Sequence, residues 1–260
     1  SPSPRQDAQS YYHLALAYGR LRRYEDVTSA LQKAIRLNPD DDRFYYELGT
    51  NLVQQRKVGE AIAAFKQVVK LKPNHFEAMF QLAKLYQQEG CGQEAVVALQ
   101  QAQRLQPNNS QVYQQLGKAC MLVDNFPAAV EALTKAQQLN AHDPEIYYQL
   151  GWIYLNRLGK TQEAREALKT AVRLRPKLVD GHFQLGVACL KSQRPREAVR
   201  AFKDAIFLDE QHREAHYQLG STYVMLKDFD SAWREVSVLR GLDPELADKL
   251  NLLVTATSNS

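Results

Sequence analysis

Cysteine is scarce in this chain of 260 residues: Cys91, Cys120 and Cys189 are its three, far apart and without a C-x-x-C pair. Neither a disulfide framework nor a four-thiolate metal site follows from them, and a reducing compartment is compatible, which favours a soluble cytoplasmic domain over a secreted one. Glycine (12) and proline (10) are too few for a collagen-like or proline-rich low-complexity chain. No stretch approaches the about eighteen uninterrupted apolar residues that a membrane-spanning helix needs. Charge of one sign is missing too: 33 basic residues face 29 acidic ones, a net of +4, too mild for a protein whose main task is wrapping nucleic acid. What is present is a 45% hydrophobic composition, enough to bury a sizeable core.

Catalytic motifs are absent as well. There is no phosphate-cradling glycine loop, no H-E-x-x-H zinc helix, no G-x-S-x-G elbow and no paired cysteine ligands. The chain is therefore expected to be no enzyme and to hold no cofactor, metal or small-molecule substrate. His182 and His216 invite a metal reading, but they sit one repeat apart without an accompanying ligand motif, so packed replacements of aromatic residues are expected. Cys120 and Cys189 read as small buried hydrophobes, and Cys91, in the Gly90-Cys91-Gly92 turn, as a solvent-accessible thiol with nothing to activate it.

The dominant signal is a period of 34. Proline recurs at 39, 73, 107, 176 and 244, with Ala141 and Glu210 in the same phase, and only one interval is 35. Each unit has an apolar residue followed by a small one: Leu14-Ala15, Leu48-Gly49, Leu82-Ala83, Leu116-Gly117, Leu150-Gly151, Leu185-Gly186 and Leu219-Gly220. Twelve residues on, thirteen in the fifth unit, stand Val27, Ala61, Ala95, Ala129, Ala164, Ala198 and Ala232. Four further come Leu31, Phe65, Leu99, Leu133, Leu168, Phe202 and Val236, and three beyond those Ala34, Val68, Ala102, Ala136, Ala171, Ala205 and Leu239. These offsets predict two amphipathic helices per unit, packed closely where the small residues cross. A pair of that size cannot bury its own apolar faces, so each unit must stack on its neighbours.

This pattern resembles the tetratricopeptide repeat family: aromatic, Leu-Gly, Tyr, Ala, Phe, Ala and Pro over 34 residues. Seven units match, 8–41, 42–75, 76–109, 110–143, 144–178, 179–212 and 213–246. Departures are local: Cys120 and Cys189 replace the Tyr, Met79, His182 and His216 the leading aromatic, and Ala141 and Glu210 the Pro. The resemblance implies an all-α, right-handed superhelical solenoid behaving as one cooperative domain. Residues 1–7 are expected as a linker, since Ser1-Pro2-Ser3-Pro4 reads as a stiff solvated stretch opening on Ser rather than Met, as in a processed product whose targeting signal is not visible. Residues 247–260 are expected as a capping helix, with Leu250, Leu253 and Val254 in an eighth unit's packing positions, and a frayed tail from Thr255 onward. The extra residue of the fifth unit falls in 156–160 and should form an exposed loop.

Function is sought on the inner side, which the resemblance assigns to the first helix of each unit. Directly after the leading position stand Tyr12, Tyr46, Phe80, Gln114, Tyr148, Phe183 and Tyr217, followed by His13, Glu47, Gln81, Gln115, Gln149, Gln184 and Gln218. Five consecutive glutamines form a ladder whose amides can pair with the backbone of an extended peptide while the rings grip its side chains. The resemblance adds that some superhelical members hold peptide backbone with an asparagine ladder at this place. Lys84, Lys118 and Trp152 are placed on the same concave side, whereas the Lys, Asn and Arg clamp by which other members read a C-terminal carboxylate has no counterpart here. On the outer side, residues 157–203 carry 12 basic against 4 acidic side chains, a net of +8. Arg165, Lys169, Arg173, Arg196, Arg200 and Lys203 form a patch suited to an acidic protein or an anionic membrane surface, with nucleic acid the less favoured partner.

The expected function is a scaffold or adaptor that binds a peptide segment or partner helix and assists complex assembly. Two alternatives stand beside it: the recruiting segment of a larger enzyme such as a glycosyltransferase, and a membrane-associated assembly factor attached through a segment upstream of Ser1. Partner and oligomeric state are not written in the sequence.

Overall fold

The computed structural model describes residues 3–258, and among these it holds fifteen α-helices and no strand. The chain divides into two compact units, Ser1–Leu139 and Asn140–Ser260. In the first lie α1 (Pro4–Arg20), α2 (Tyr24–Leu37), α3 (Asp42–Gln54), α4 (Val58–Leu71), α5 (Phe76–Gln88), α6 (Gly92–Leu105), α7 (Ser110–Leu122) and α8 (Phe126–Leu139). The second holds α9 (Pro144–Asn156), α10 (Thr161–Leu174), α11 (Val179–Lys191), α12 (Pro195–Leu208), α13 (Arg213–Met225), α14 (Phe229–Leu242) and α15 (Pro244–Ser258). The fold is an all-α helical repeat solenoid. Within each unit the helices of a repeat array touch mainly their sequence neighbours.

Core burial follows the period. Every second-helix position named above, from Val27, Leu31 and Ala34 to Ala232, Val236 and Leu239, is buried, as is each small residue from Ala15 to Gly220. The crossings are tight. A Cβ placed on Gly151 would lie 2.6 Å from the Leu168 Cγ and 3.3 Å from the Ala164 carbonyl oxygen.

Each turn inside a helix pair contains one residue with left-handed backbone: Arg22, Arg56, Asp124, Gln193 and Lys227 at φ of 54° to 60°, and Gly90 and Gly159 at 74° and 64°. Six of the seven turns close with an amide bonded to a carbonyl five residues back, as from Arg23 to Tyr18 and from Asp228 to Tyr223, the signature of a Schellman cap. In the fifth pair the bond spans six residues, Lys160 to Tyr154 at 2.9 Å, and the extra residue is absorbed in an exposed loop.

Both chain ends differ from expectation. Ser1 and Pro2 of the linker, and Asn259 and Ser260 of the tail, lie outside the described residues. Residues 4–7 are not linker but the first turn of α1: the Ser3 hydroxyl accepts from the Gln6 amide at 3.4 Å, and Gln6 accepts from the Ser3 amide at 3.3 Å. Ser, Pro at the first helical position and Gln at the third make a capping box, a helix start that outweighs the stiffness of Ser-Pro repeats. At the other end α15 runs through the expected fray to Ser258, its Thr255 and Thr257 hydroxyls donating to carbonyls four residues back at 2.8 Å. Leu250 and Val254 are buried, but Leu253 is exposed, because no second helix follows α15 among the described residues to cover it.

Candidate functional site

In four units the leading residue has a structural duty. Tyr113 and Tyr147 donate their hydroxyls to the carbonyls of Pro107 and Ala141 at 3.0 and 3.2 Å. His182 and His216 point Nε2 at the carbonyls of Pro176 and Glu210 at 2.8 and 3.1 Å. In every case the partner lies six residues back, in the turn that enters the unit. Histidine thus replaces tyrosine because both carry a hydrogen-bond donor on the far side of a flat ring. His216 goes further, since its Nδ1 lies 2.6 Å from the Glu235 carboxylate. With acceptors at both ring nitrogens, the hydrogen bond to Glu235, reinforced by the Glu210 carbonyl, raises the imidazole pKa above its usual value. Among the described residues no three His, Cys, Asp or Glu side chains gather as a metal site.

The aromatic residues that follow the leading position are half-buried, and three of them reach the next first helix or the residue that caps it. Tyr12 lies against Phe44 with centroids 5.2 Å apart, Tyr46 stacks on His75 at 4.9 Å, and Phe183 meets His212 at 4.8 Å. His75 and His212 are also N-caps of α5 and α13, accepting from Ala78 and Ala215 through Nδ1. Phe80, Tyr148 and Tyr217 are likewise half-buried, so these rings serve packing first and expose only part of a face.

The glutamines split into two groups. Gln81, Gln115, Gln184 and Gln218 are half-buried, whereas Gln149 is buried, its amide donating to Glu145 at 3.2 Å while its own oxygen meets no donor. Gln114, one place earlier in its unit, is buried too. The ladder of five open amides is corrected accordingly: burial takes Gln149 out of it. Lys84 is exposed, and Lys118 and Trp152 are half-buried, the latter beneath Arg157 at 5.3 Å. The residue that spacing overlooked is Gln87, whose amide donates to the Gln115 carbonyl at 2.7 Å and ties α5 to α7.

An open pocket of about 400 Å³ lies between α1 and α3, the first helices of the first two repeats, floored by α2. Leu16, Arg20, Tyr24, Glu47, Thr50 and Gln54 are among its walls. Glu47 is half-buried, and burial raises its carboxyl pKa.

On the outer side, Lys169, Arg173, Arg196, Arg200 and Lys203 are exposed as expected of a patch. Arg165 is not: it is buried and held by Glu166 at 2.9 Å and Glu197 at 3.3 Å, a bridge from α10 to α12. A guanidinium flanked by two carboxylates is neutralised, so Arg165 leaves the patch. Cys120 and Cys189 are buried, and burial, with Glu197 nearby, pushes the Cys189 thiol up to about 11. Cys91, the N-cap residue of α6, is half-buried rather than open.

Comparison with known proteins agrees with this architecture. Tetratricopeptide repeat models match residues 8–41 and 144–178, 52–120, and 183–244. No curated protein matches the sequence at a significant level. Among solved structures, MamA is 29% identical, with 63% of this chain and 95% of that one covered at a TM-score of 0.61. YrrB, described as a TPR protein with an unusual peptide-binding site, is 22% identical over 72% of this chain and 96% of that one, with a TM-score of 0.63. The C-terminal part of a repeat protein from Cytophaga hutchinsonii reaches a TM-score of 0.75 at 17% identity, covering 91% and 98% of the two chains. Period, helix pairs and matched models converge: the chain belongs to the tetratricopeptide repeat family.

Proposed function

We propose that this chain, a protein-interaction scaffold by family and fold, is non-catalytic and holds an extended peptide segment or partner helix along the first-helix faces of its units, assisting assembly of a larger complex. The observation that carries the proposal is the set of half-covered amides, Gln81, Gln115, Gln184 and Gln218, repeating at equivalent positions with donor and acceptor atoms to offer. Replacing Gln115, Gln184 and Gln218 together by alanine should weaken a captured partner by about tenfold or more in calorimetry while leaving helicity intact. Unchanged affinity sinks the proposal. Gln149 is left out of that set because its truncation would disturb packing.

A second reading is favoured by Phe207, 84% exposed on α12. It follows Arg196, Arg200 and Lys203 at helical spacing, which gives one stripe three cations and a bare ring. Anionic vesicles sedimented with the chain at low salt test it: binding that Arg196→Glu with Arg200→Glu abolishes supports a membrane contact, and no binding at low salt ends it.

A further inference from the structure

The second repeat contains a carboxylate without an ion-pair partner. Glu47 faces the pocket between α1 and α3, and no hydrogen bond or ion pair joins it to another described residue. Three groups near it are committed elsewhere. The Thr50 hydroxyl donates to the Tyr46 carbonyl at 3.0 Å. Asn51 spends its amide on the Tyr24 carbonyl at 3.0 Å and the Thr28 hydroxyl at 2.9 Å. Arg43, on the same helix, is gripped by Asp41 at 2.6 and 2.9 Å. The Glu47 charge is felt by the phenols of Tyr12 and Tyr46, whose pKa values burial raises first and nearby carboxylates, Glu47 among them, raise further.

A half-buried carboxylate with open acceptor sites, in a cavity large enough for a long side chain and beside tyrosine rings, has the chemistry of a cation receptor. We infer that the pocket between α1 and α3 takes the cationic side chain of an arginine or lysine carried by the bound segment, with Glu47 as its counter-ion and Tyr24 in the wall against its stem. Arg20 lines the same pocket, is exposed and opposes an entering cation, so Glu47 has to outweigh it for the site to fill. This inference rests on the first-helix face accepting another chain and names what one part of that face selects.

Titration of the ¹⁵N-labelled full chain tests it. The probes are blocked arginine (N-acetyl-arginine amide), blocked lysine, blocked citrulline as the neutral isostere of arginine, and glycinamide as a free α-ammonium. Blocked arginine or lysine should give saturable shifts at the amides of Leu16, Gly19, Thr50 and Gln54, with citrulline at least about tenfold weaker. Glu47→Gln should remove about tenfold of the arginine affinity without changing helicity or melting temperature. Equal binding of citrulline, no saturable shift with either blocked cation, no effect of Glu47→Gln, or binding of glycinamide alone overturns the inference. Failure here is separable from failure of the scaffold proposal: a partner lost on the triple glutamine substitution but kept by Glu47→Gln leaves the scaffold standing and removes the cation site.

Discussion

At the scale of single residues, the leading position explains a substitution that spacing left as mere packing. Tyr113, Tyr147, His182 and His216 all tether the carbonyl six residues back, so in these four units the position is filled by a donor on a flat ring and not by aromatic bulk alone. His216 adds a pH dependence through Glu235. Its folded pKa is raised above 6.5, so its contribution is complete below that pH, when folded and unfolded chains are both protonated. The contribution fades as pH rises, because the unfolded chain releases its proton first, and is gone above the folded pKa. His216→Tyr keeps the tether but not the charge; denaturant melts should show the stability gap between wild type and variant shrinking as pH rises from 6 to 9, and a constant gap refutes the coupling. At Gly151, where Leu168 and Ala164 leave no space, Gly151→Leu should cost about 1–3 kcal/mol by overpacking, read as a lower melting temperature.

Elements were legible to different depths. The second helices could be read almost position by position, because each offers three buried apolar places in fixed phase and little else competes for them. The start of α1 was hidden by its prolines, although Ser3, Pro4 and Gln6 already spelled a cap. The polar residues were least legible. Spacing places Gln149 and Arg165 on a face, but whether a side chain stays there depends on partners such as Glu145, Glu166 and Glu197, which only the packed structure brings near. For α15, the buried Leu250 closes on Gly220. Leu250→Ala should therefore cost about 2–5 kcal/mol, with hydrogen exchange speeding up first in α13 and α14. The turns give a sharper test. Lys227 has φ of 60°, so Lys227→Gly should stabilise by about 0.5–1 kcal/mol, relief of the left-handed cost outweighing the added freedom of the unfolded chain. Asp124→Gly should gain less, because aspartate tolerates that conformation.

At the scale of the whole molecule, the family and the all-α fold were legible in the period alone, since a 34-residue recurrence of small and large apolar residues admits few other solutions. The division after Leu139 was not, because nothing in the repeat marks one junction as different from another. Nor was the pocket beside Glu47, because spacing places that acid just ahead of the glutamines but does not show that Thr50 and Asn51 beside it are engaged elsewhere.

The left-handed turn residues show how such a chain diversifies. Seven turns hold Arg, Arg, Gly, Asp, Gly, Gln and Lys at one equivalent place, yet φ stays between 54° and 74° throughout. What copying handed from unit to unit there is a bend and not a letter. A profile scoring side chains sees noise at that column, while one scoring torsion angles would see its most uniform feature, and the seven places are free to vary in charge and reach without moving a helix.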